Sequence, residues 1–414
     1  MYKTQKNQIR NLSKPQWGLL RKMCFHSARL FNYALYLTRK QWEDTRTFLR
    51  YEIGYFTYKE NYNYKILPSA PAQHTCKLVE RSFKSYLGLL KLAKEEGWEN
   101  PINPPHFIPK KGHFMLIIPR NGFQVKGNEL HIGISRELKK ETGQKNLVLM
   151  FPKNVDKELP IKELRIHPHQ KAHYFSLEVV YEVEEQEETK ETGVLGIDVG
   201  MNNLATCWDS KNSRAFIIGG RRVKSINHYY NQQIAKLQSI NDKQGFKHCR
   251  TKKMFLITRK RNNRVKDYMH KAARHIVNYA LSNGIGEIVI GHNVGWKQDI
   301  NLGKRINQDF IQIPFGFLMS CLKYKCQEVG LRYKEVVESH TSKCSWLDCE
   351  PVKHHDEYVG RRVKRGLFRS GQDIFVNADV NGAANIVRKA TGDYSVLSSD
   401  QIAGFVANPL RITL

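Results

Sequence analysis

The sequence has no apolar run long enough to cross a membrane. Apolar stretches such as FMLIIP (residues 114–119) and NLVLMF (residues 146–151) are far shorter than the roughly 20 residues that a transmembrane helix needs. The opening residues, MYKTQKNQIRNLSKPQW, are polar and contain no apolar signal-peptide core. We therefore expect a soluble, cytoplasmic protein with no membrane partner.

Patterns typical of disulfide-bonded proteins and Cys-x-x-Cys pairs are also lacking. The eight cysteines are mostly scattered singly through apolar or basic sequence. This usage is typical of a reducing compartment rather than of a secreted, disulfide-stabilised fold.

Acidic residues are scarce compared with basic ones. The chain has 39 Asp and Glu against 67 Lys and Arg, a formal net charge of +28. Solubility alone does not require such an excess, and an acidic polymer such as a nucleic acid is the natural partner. Since 41% of the 414 residues are hydrophobic, the chain can still bury a core, and its length favours two or three domains.

Three different hydrophobic patterns follow one another along the chain, and together they predict a multidomain α+β protein. Residues 14–99 have apolar positions at helical spacing, whereas residues 100–185 have short alternating runs broken by Gly, Asn and Pro, typical of a β-barrel or sandwich. A strand starting at Tyr2 would join this barrel and make the helices an insertion. From Gly193 the predicted order is three strands, helix, strand, helix, strand, helix, which is the order of the ribonuclease H fold.

Two aspartates of this last region are candidates for a catalytic site. Asp198 ends its first strand just before Gly200, and Asp379 heads its last helix among small residues that let the helix approach the sheet. Acids that converge in a strongly basic protein indicate a Mg²⁺ site acting on a phosphodiester, with Mn²⁺ able to substitute and two metals about 3.5–4 Å apart. Two alternatives stay open: an Asp before Gly is also an ordinary turn residue, and GIDVGMNNLAT also resembles the first phosphate loop of actin-like ATPases.

Four motifs carry a family resemblance. GIDVGMNNLAT, NVGWKQDINLGKRINQDFIQIPF, TSKCS and NADVNGAANI together resemble the TnpB family of transposon-encoded, RNA-guided DNA endonucleases (OrfB-like), which is related to the type V CRISPR effectors. The match covers most of residues 190–392, whereas the first half matches mainly in layout. The resemblance implies a RuvC-like nuclease domain, a guide RNA, a double-stranded DNA target and a short duplex motif beside that target.

The resemblance also implies a domain plan. We expect a wedge β-barrel (1–13 and 100–185) with an inserted helical recognition domain (14–99), a linker (186–192), a RuvC-like nuclease domain (193–340 and 376–392), a basic loop in place of a zinc-ribbon insertion (341–375) and a C-terminal tail (393–414).

The family pattern places a second acid at the end of the fourth strand, where this sequence has Gly291. The next strand, RYKEVVES, is expected to run parallel beside it and to end at Glu338, about 4.8 Å away. A glutamate there could reach the vacated place, since glycine leaves room for it. Alternation puts Glu335 on the opposite face, and Glu287 stands at the wrong end of its strand. The predicted catalytic and Mg²⁺-binding residues are Asp198, Glu338 and Asp379; the alternative is that Glu338 is an ordinary acid of the following loop.

A zinc site is the second departure from the family. Members often carry a Cys-x-x-Cys pair twice before the last helix, but here four residues separate Cys344 from Cys349 and no cysteine follows. His354 and His355 could complete a Cys₂His₂ set. Because the surrounding sequence lacks the knuckles of a ribbon, we do not expect zinc and interpret the segment as a basic loop.

Clusters of cations predict the nucleic-acid contacts, because one-sign clusters neutralise phosphates and aromatic side chains stack on bases. The predicted set is Arg250, Lys252, Lys253, Arg259, Lys260, Arg261 and Arg264 in a long helical segment, Trp296, Lys297, Lys304 and Arg305 after the fourth strand, and Arg361, Arg362, Lys364 and Arg365 in the basic loop. For Trp296 itself, a place in the core is an equally good explanation.

These features together predict a Mg²⁺-dependent, RNA-guided DNA endonuclease of the prokaryotic cytosol or nucleoid, acting as a monomer or a dimer on its RNA. One alternative is a nuclease-inactive RNA-guided DNA-binding repressor, in which Gly291 marks decay. Another is a small type V CRISPR effector. Asp198 and Asp379, both kept at matching positions, favour the active enzyme.

Overall fold

The computed structural model of the protein describes residues 1–98, 100–247, 249–293, 303–392 and 408–414. These residues form two compact units, Met1–Glu184 and Glu185–Leu414. In the described ranges, no helix combines the length and the apolar character that a membrane span requires.

The first unit contains two antiparallel sheets. Its strands are β1 (Tyr2–Gln8), β2 (Leu116–Pro119), β3 (Phe123–Lys126), β4 (Glu129–Gly133), β5 (Asn146–Met150), β6 (Ile161–His169) and β7 (Tyr174–Glu182). They pair in the orders β1-β7-β6-β2 and β3-β4-β5. Tyr2 lies opposite Glu182, so the first strand joins the later ones as predicted and the helices are an insertion. Because the described strands form two separate sheets, a closed barrel stays a prediction.

The helices of the first unit follow the predicted apolar stripe. They are α1 (Lys14–Thr45), α2 (Tyr51–Tyr58), α3 (Tyr62–Lys65), α4 (Ser69–Glu96) and, between the strands, α5 (Arg136–Thr142), with a 3₁₀ turn at Arg120–Gly122. Ser13 and Gln16 form a capping box at the start of α1. Gly97 ends α4 with φ 65°, a conformation that glycine adopts without steric cost. Leu19, Met23 and Leu35 of α1 are buried in the core of this unit.

The second unit is built on a six-stranded mixed sheet. The strands of the whole unit are β8 (Gly193–Val199), β9 (Asn203–Asp209), β10 (Arg214–Gly219), β11 (Ile285–Gly291), β12 (Arg332–Val336), β13 (Arg361–Lys364), β14 (Leu367–Arg369), β15 (Phe375–Asn377) and β16 (Leu410–Ile412). The main sheet has the order β12-β11-β8-β9-β10-β16. Strand β11 runs parallel to both β8 and β12, with Gly291 opposite Val336. The carboxyl ends of three parallel strands therefore meet at one edge.

Helices cover both faces of this sheet. They are α6 (Arg221–Lys243), α7 (Lys252–Ser282), α8 (Lys304–Ile311), α9 (Phe315–Glu328) and α10 (Ala378–Thr391). The long basic helical segment expected from the sequence is thus two helices, with Gly245 at φ 80° between them. On the other face, α10 lies directly against β8: a Cβ on Gly196 would collide with the backbone oxygen of Ala383.

Three connecting segments have more structure than the sequence predicts. In the predicted tail, Leu410 pairs in parallel with Phe216, so β16 extends the main sheet. The predicted basic loop contains the three-stranded antiparallel sheet β13-β14-β15. In the predicted linker, the Thr189 amide donates to the Gly330 carbonyl, and Arg332 donates to the carbonyl of Thr189 at 3.0 Å. Hydrogen bonds that a one-dimensional charge pattern does not reveal order the described parts of these segments.

Candidate active site

Asp198 lies on β8 at the edge where the parallel strands end. It is opposite Thr206 of β9, one residue before the strand finishes. Its carboxylate packs against α10, because a Cβ built on Gly382 would lie 3.0 Å from Asp198 Oδ2. Glycine at 382 therefore leaves the space that the carboxylate occupies.

Glu338 lies beside Gly291, the position at the end of β11 where the family pattern has an acid. Strand β12 ends at Val336, two residues earlier than expected, and the backbone amide of Glu338 donates to Asn293 Oδ1 at 3.1 Å. A Cβ built on Gly291 would lie 3.4 Å from Glu338 Oε2. That oxygen is buried and has no hydrogen-bond partner in the described part of the chain. An ionised oxygen in such a place is costly unless a cation joins it.

The alternation predicted for β12 is confirmed. Lys334 donates to the carbonyl of Ala390, so it faces α10. Glu335 instead accepts from the Tyr333 hydroxyl at 3.1 Å on the opposite face. Glu287 lies opposite Arg332 at the start of the strands, far from their carboxyl ends.

Asp379 completes the group from the first turn of α10. The helix begins at the Asn377 cap, whose Oδ1 accepts from the Asp379 amide at 3.0 Å. One carboxylate oxygen, Oδ2, accepts from Asn203 Nδ2 at 2.6 Å, and the other accepts from Arg362 Nη2 at 3.2 Å. Asp379 is thus held from two sides by side chains that the sequence argument did not connect with it.

The electrostatics link Asp198 to the other two acids. Burial raises the pKa of Asp198 well above its usual range, the negative charges of Glu338 and Asp379 raise it further, and the positive charge of Arg362 partly offsets them. Burial also raises the pKa of Glu338. Two buried carboxyl groups whose ionisation is disfavoured, Asp198 and Glu338, with one oxygen of Glu338 unpartnered in the described residues, fit a hard cation such as Mg²⁺.

The ligand atoms of these acids are more widely spread than those of a compact single-ion site. In the described ranges, the group whose ligand atoms all lie within 4.8 Å of one another is Cys344, Glu350 and His355 instead. A pair of metal ions about 3.5–4 Å apart needs ligands spread over a wider space.

The compact group differs from the predicted zinc set. Cys344 and His355 belong to it, but Cys349 Sγ lies 3.5 Å from Arg388 Nη2, and the His354 ring packs edge-on against His340. The group atoms also have protein partners: Cys344 Sγ lies 3.4 Å from the Pro351 carbonyl, and His355 Nε2 lies 2.8 Å from the same oxygen.

Glu350 is the member of this group that the predicted zinc set does not contain. It is 3% exposed and accepts hydrogen bonds from the backbone amides of Ser345 at 2.6 Å and Val359 at 3.1 Å. The carboxylate thus links two parts of this segment, around Ser345 and Val359, that a bound metal ion could also link. Its position one residue after Cys349 was the only available signal.

Most of the predicted nucleic-acid residues in the helical segment and the hairpin are exposed. The exposed side chains are Arg250, Lys252, Lys253, Lys260, Arg264, Arg361, Arg362, Lys364 and Arg365, with Arg259 partly buried. Arg261 differs, because it donates to Asn227 Oδ1 at 2.7 Å and to the Gln312 carbonyl at 3.0 Å, which ties α7 to its neighbours. Arg362 reaches Asp379 and so belongs to the acidic site as well.

Four further predicted contacts involve residues or side chains outside the described part of the chain. Trp296 and Lys297 lie outside the described residues, and so do the side chains of Lys304 and Arg305. Their roles stay predictions.

Comparisons with known proteins agree with this fold. Residues 178–297 match the OrfB family of IS605, described as a probable transposase, and residues 315–386 match the Cas12f1-like TNB domain. A TnpB-like protein of Acidianus two-tailed virus is 24% identical over 409 residues, covering 90% of this chain and 83% of the relative. The CRISPR-associated endodeoxyribonuclease Cas12f2 of a Micrarchaeota archaeon is 28% identical over 236 residues, which are 54% of this chain and 42% of that relative.

Solved structures show the same architecture. A Cas12f1–sgRNA–target DNA complex matches with a TM-score of 0.61 at 15% identity, over 88% of this chain and 81% of that one. The mini-RNA-guided endonuclease CRISPR-Cas phi3 matches with a TM-score of 0.53 at 12% identity, over 96% and 93% of the two chains. The fold is therefore a multidomain α/β fold of the Cas12 type. The family matches and the two relatives agree with the resemblance to the TnpB family that the sequence motifs carry.

Proposed function

We propose that this protein is an RNA-guided DNA endonuclease that cuts its target beside a short flanking motif by two-metal phosphodiester hydrolysis. The observation that carries the proposal is the Glu338 carboxylate beside Gly291, on the same edge of the sheet as Asp198 and within its electrostatic influence. The similar proteins are a TnpB-like protein and an endodeoxyribonuclease, and one similar structure holds guide RNA and target DNA. A net charge of +28 suits both polymers.

The side chains have separate tasks in this mechanism. Asp198, Glu338 and Asp379 would hold Mg²⁺, which when bound activates water for attack and stabilises the leaving oxygen. The closely packed Gly382 and Gly291 keep α10 and β11 from filling the space beside the carboxylates. The exposed cations of α7 and of the β13–β14 hairpin would neutralise backbone phosphates without reading sequence, which base pairing with the guide supplies.

The guide is tested first. The protein purified from its own host should carry a structured RNA, and sequencing that RNA identifies the guide. Recovery of RNA-free, monodisperse and fully active protein would contradict an RNA-guided mechanism. A guide encoded beside a repeat array, rather than a transposon end, would make the protein a small CRISPR effector with the same chemistry.

Cleavage is tested next on a plasmid that carries the guide-matched target. We expect cutting with Mg²⁺ or Mn²⁺, none with EDTA, and none by Asp198→Ala even though guide-directed DNA binding persists. Binding without cutting by the unsubstituted protein would favour the alternative, a nuclease-inactive repressor. Cutting by Asp198→Ala at the unsubstituted rate would place the metal site elsewhere.

A further inference from the structure

The Asn203 side chain donates a hydrogen bond to Oδ2 of Asp379. Asn203 is the first residue of β9, and its Nδ2 lies 2.6 Å from Asp379 Oδ2 in a partly buried contact. The other oxygen of Asp379 meets Arg362, whose side chain is about half exposed. The amide contact, which lies within the sheet edge rather than on a surface hairpin, is therefore the firmer of the two restraints.

Arg411 fixes the orientation of that amide. Its Nη1 donates to Asn203 Oδ1 at 3.2 Å. A guanidinium can only donate hydrogen bonds and an ionised carboxylate can only accept them, so the amide oxygen must face Arg411 and the NH₂ group must face Asp379. Asn satisfies both neighbours at once, whereas Asp at 203 would set a second negative charge against Asp379.

The strand that carries Arg411 is anchored to the unit. Arg411 of β16 lies opposite Ile217 of β10 in a parallel pair, and Arg222 of α6 donates to the Leu414 carbonyl. Ile412 and Leu414 pack against the hydrophobic core of the unit. Arg411 therefore projects from a fixed backbone.

We propose that Asn203 and Arg411 are positioning residues that hold Asp379 in the orientation in which it binds metal, so that β16 completes the active site. This inference rests on the proposed function. Residues that orient a ligating carboxylate typically contribute about 10–100-fold to metal affinity or activity. Neither residue touches the reacting phosphodiester in this proposal; both act through Asp379.

The test measures metal binding as well as cleavage. Mn²⁺ is titrated into the full-length protein with its copurified RNA and followed by electron paramagnetic resonance, with Asp198→Ala as the baseline for ions bound elsewhere. We expect Asn203→Ala to weaken the site-specific Mn²⁺ affinity about 10-fold and to slow cleavage about 10–100-fold, while guide-directed DNA binding is unchanged. Asn202→Ala is the matched control, because Asn202 accepts from Lys224 at 3.1 Å and is not bonded to Asp379.

A double-mutant cycle separates positioning from general damage. Arg411→Ala alone should weaken Mn²⁺ binding a few-fold, and it should add no further loss in the Asn203→Ala background, because both act through one contact. Asn203→Ala that matches Asn202→Ala in Mn²⁺ affinity and rate would overturn the proposal. If Asn203→Ala does not fold, the exposed Arg411→Ala decides, and its equality with the unsubstituted protein would overturn the proposal. No site-specific Mn²⁺ in the unsubstituted protein would instead overturn the proposed function, and this inference with it.

Discussion

Gly291 and Glu338 share one small space at the ends of two neighbouring parallel strands. A Cβ on Gly291 would lie 3.4 Å from Glu338 Oε2 and 2.6 Å from Ile386 Cδ1. The backbone of Gly291 does not have a positive φ, so close approach, rather than strain, is what requires glycine there. The absence of a side chain at Gly291 on β11 thus leaves room for the Glu338 carboxylate after β12.

Replacing Glu338 tests this arrangement directly. Glu338→Gln should reduce cleavage about as severely as Asp198→Ala, because the amide keeps the shape but loses the charge that holds the metal. Guide-directed DNA binding should persist. Glu335→Gln is the control, since Glu335 faces the other side of the sheet. Cleavage by Glu338→Gln at the unsubstituted rate under limiting Mg²⁺ would show that Glu338 is not a ligand.

Gly291→Ala should lower both stability and cleavage. The new methyl group would overlap Ile386 Cδ1, and overpacking of a core typically costs about 1–3 kcal/mol. Ile386→Val removes that atom, so the double variant should recover most of the stability lost by Gly291→Ala, as followed by urea unfolding. Additive losses in the double variant would show that Ile386 is not the obstacle.

The same contact bears on returning the acid to β11. Gly291→Glu combined with Glu338→Gln must displace Ile386 before the carboxylate can enter. Partial recovery of cleavage is therefore expected when Ile386→Ala is added. This triple variant should cut faster than Glu338→Gln alone under saturating Mg²⁺.

Gly382→Ala should impair cleavage while leaving the protein folded. Its methyl group would lie 3.0 Å from Asp198 Oδ2, close enough to push the carboxylate aside. Alanine is otherwise the better helix former by about 1 kcal/mol, so the thermal midpoint should change little. Gly316→Ala on α9 is the matched control, because a Cβ there meets no atom within 4 Å. Equal cleavage rates for the two variants would contradict the close packing of α10 on Asp198.

The raised pKa of Asp198 predicts a pH dependence of stability. A carboxyl group whose folded pKa is above its unfolded value stabilises the fold less as pH rises through the folded pKa, because the unfolded chain loses its proton first. In EDTA, the thermal midpoint of the unsubstituted protein should therefore fall relative to that of Asp198→Asn as pH rises above the ordinary carboxyl range. Mg²⁺ should reverse this difference by binding the ionised site. A difference that does not vary with pH would contradict the raised pKa of Asp198.

Glu350→Ala should destabilise the segment before α10. The substitution leaves the buried amide of Ser345 without its acceptor, at a cost of about 1–3 kcal/mol, and also removes the acceptor of the partly buried Val359 amide. Urea unfolding and limited proteolysis of residues 341–375 would measure the loss. Glu357→Ala, at an exposed position, is the control and should have little effect. Stoichiometric zinc in the purified protein, lost in Glu350→Ala, would mean instead that the carboxylate serves as a metal ligand.

Periodicity and family motifs predicted much of the second unit, but not its finer contacts. The order of strands and helices, Asp198 on β8 and the opposite faces of Lys334 and Glu335 follow from local pattern, since a strand has a side-chain period of two. The contact between Asn203 and Asp379 joins residues 176 positions apart, and Arg411 is 208 positions from Asn203. Such pairs depend on tertiary packing, and nothing in the local sequence distinguishes Asn203 from Asn202.

Charge patterns were the least specific guide. In the sequence, Arg261 cannot be told from its neighbours in the basic run. In the structure its side chain is partly buried and donates hydrogen bonds to Asn227 and Gln312. Residues 408–414 lack a long apolar stretch, so β16 could be recognised only from its pairing with β10. The barrel and the domain boundaries stay predictions for the same reason: closure depends on contacts between distant strands.

The parallel register of β11 and β12 also affects how catalytic competence is judged across a family. A test that compares alignment columns asks whether an acid occupies the end of one strand, and it would score this chain as degenerate at Gly291. Two adjacent strand ends open onto the same volume, and in this chain the carboxylate enters it from the residues after β12. Competence in such nucleases is better assessed by the atoms that occupy a volume than by the residue at one column.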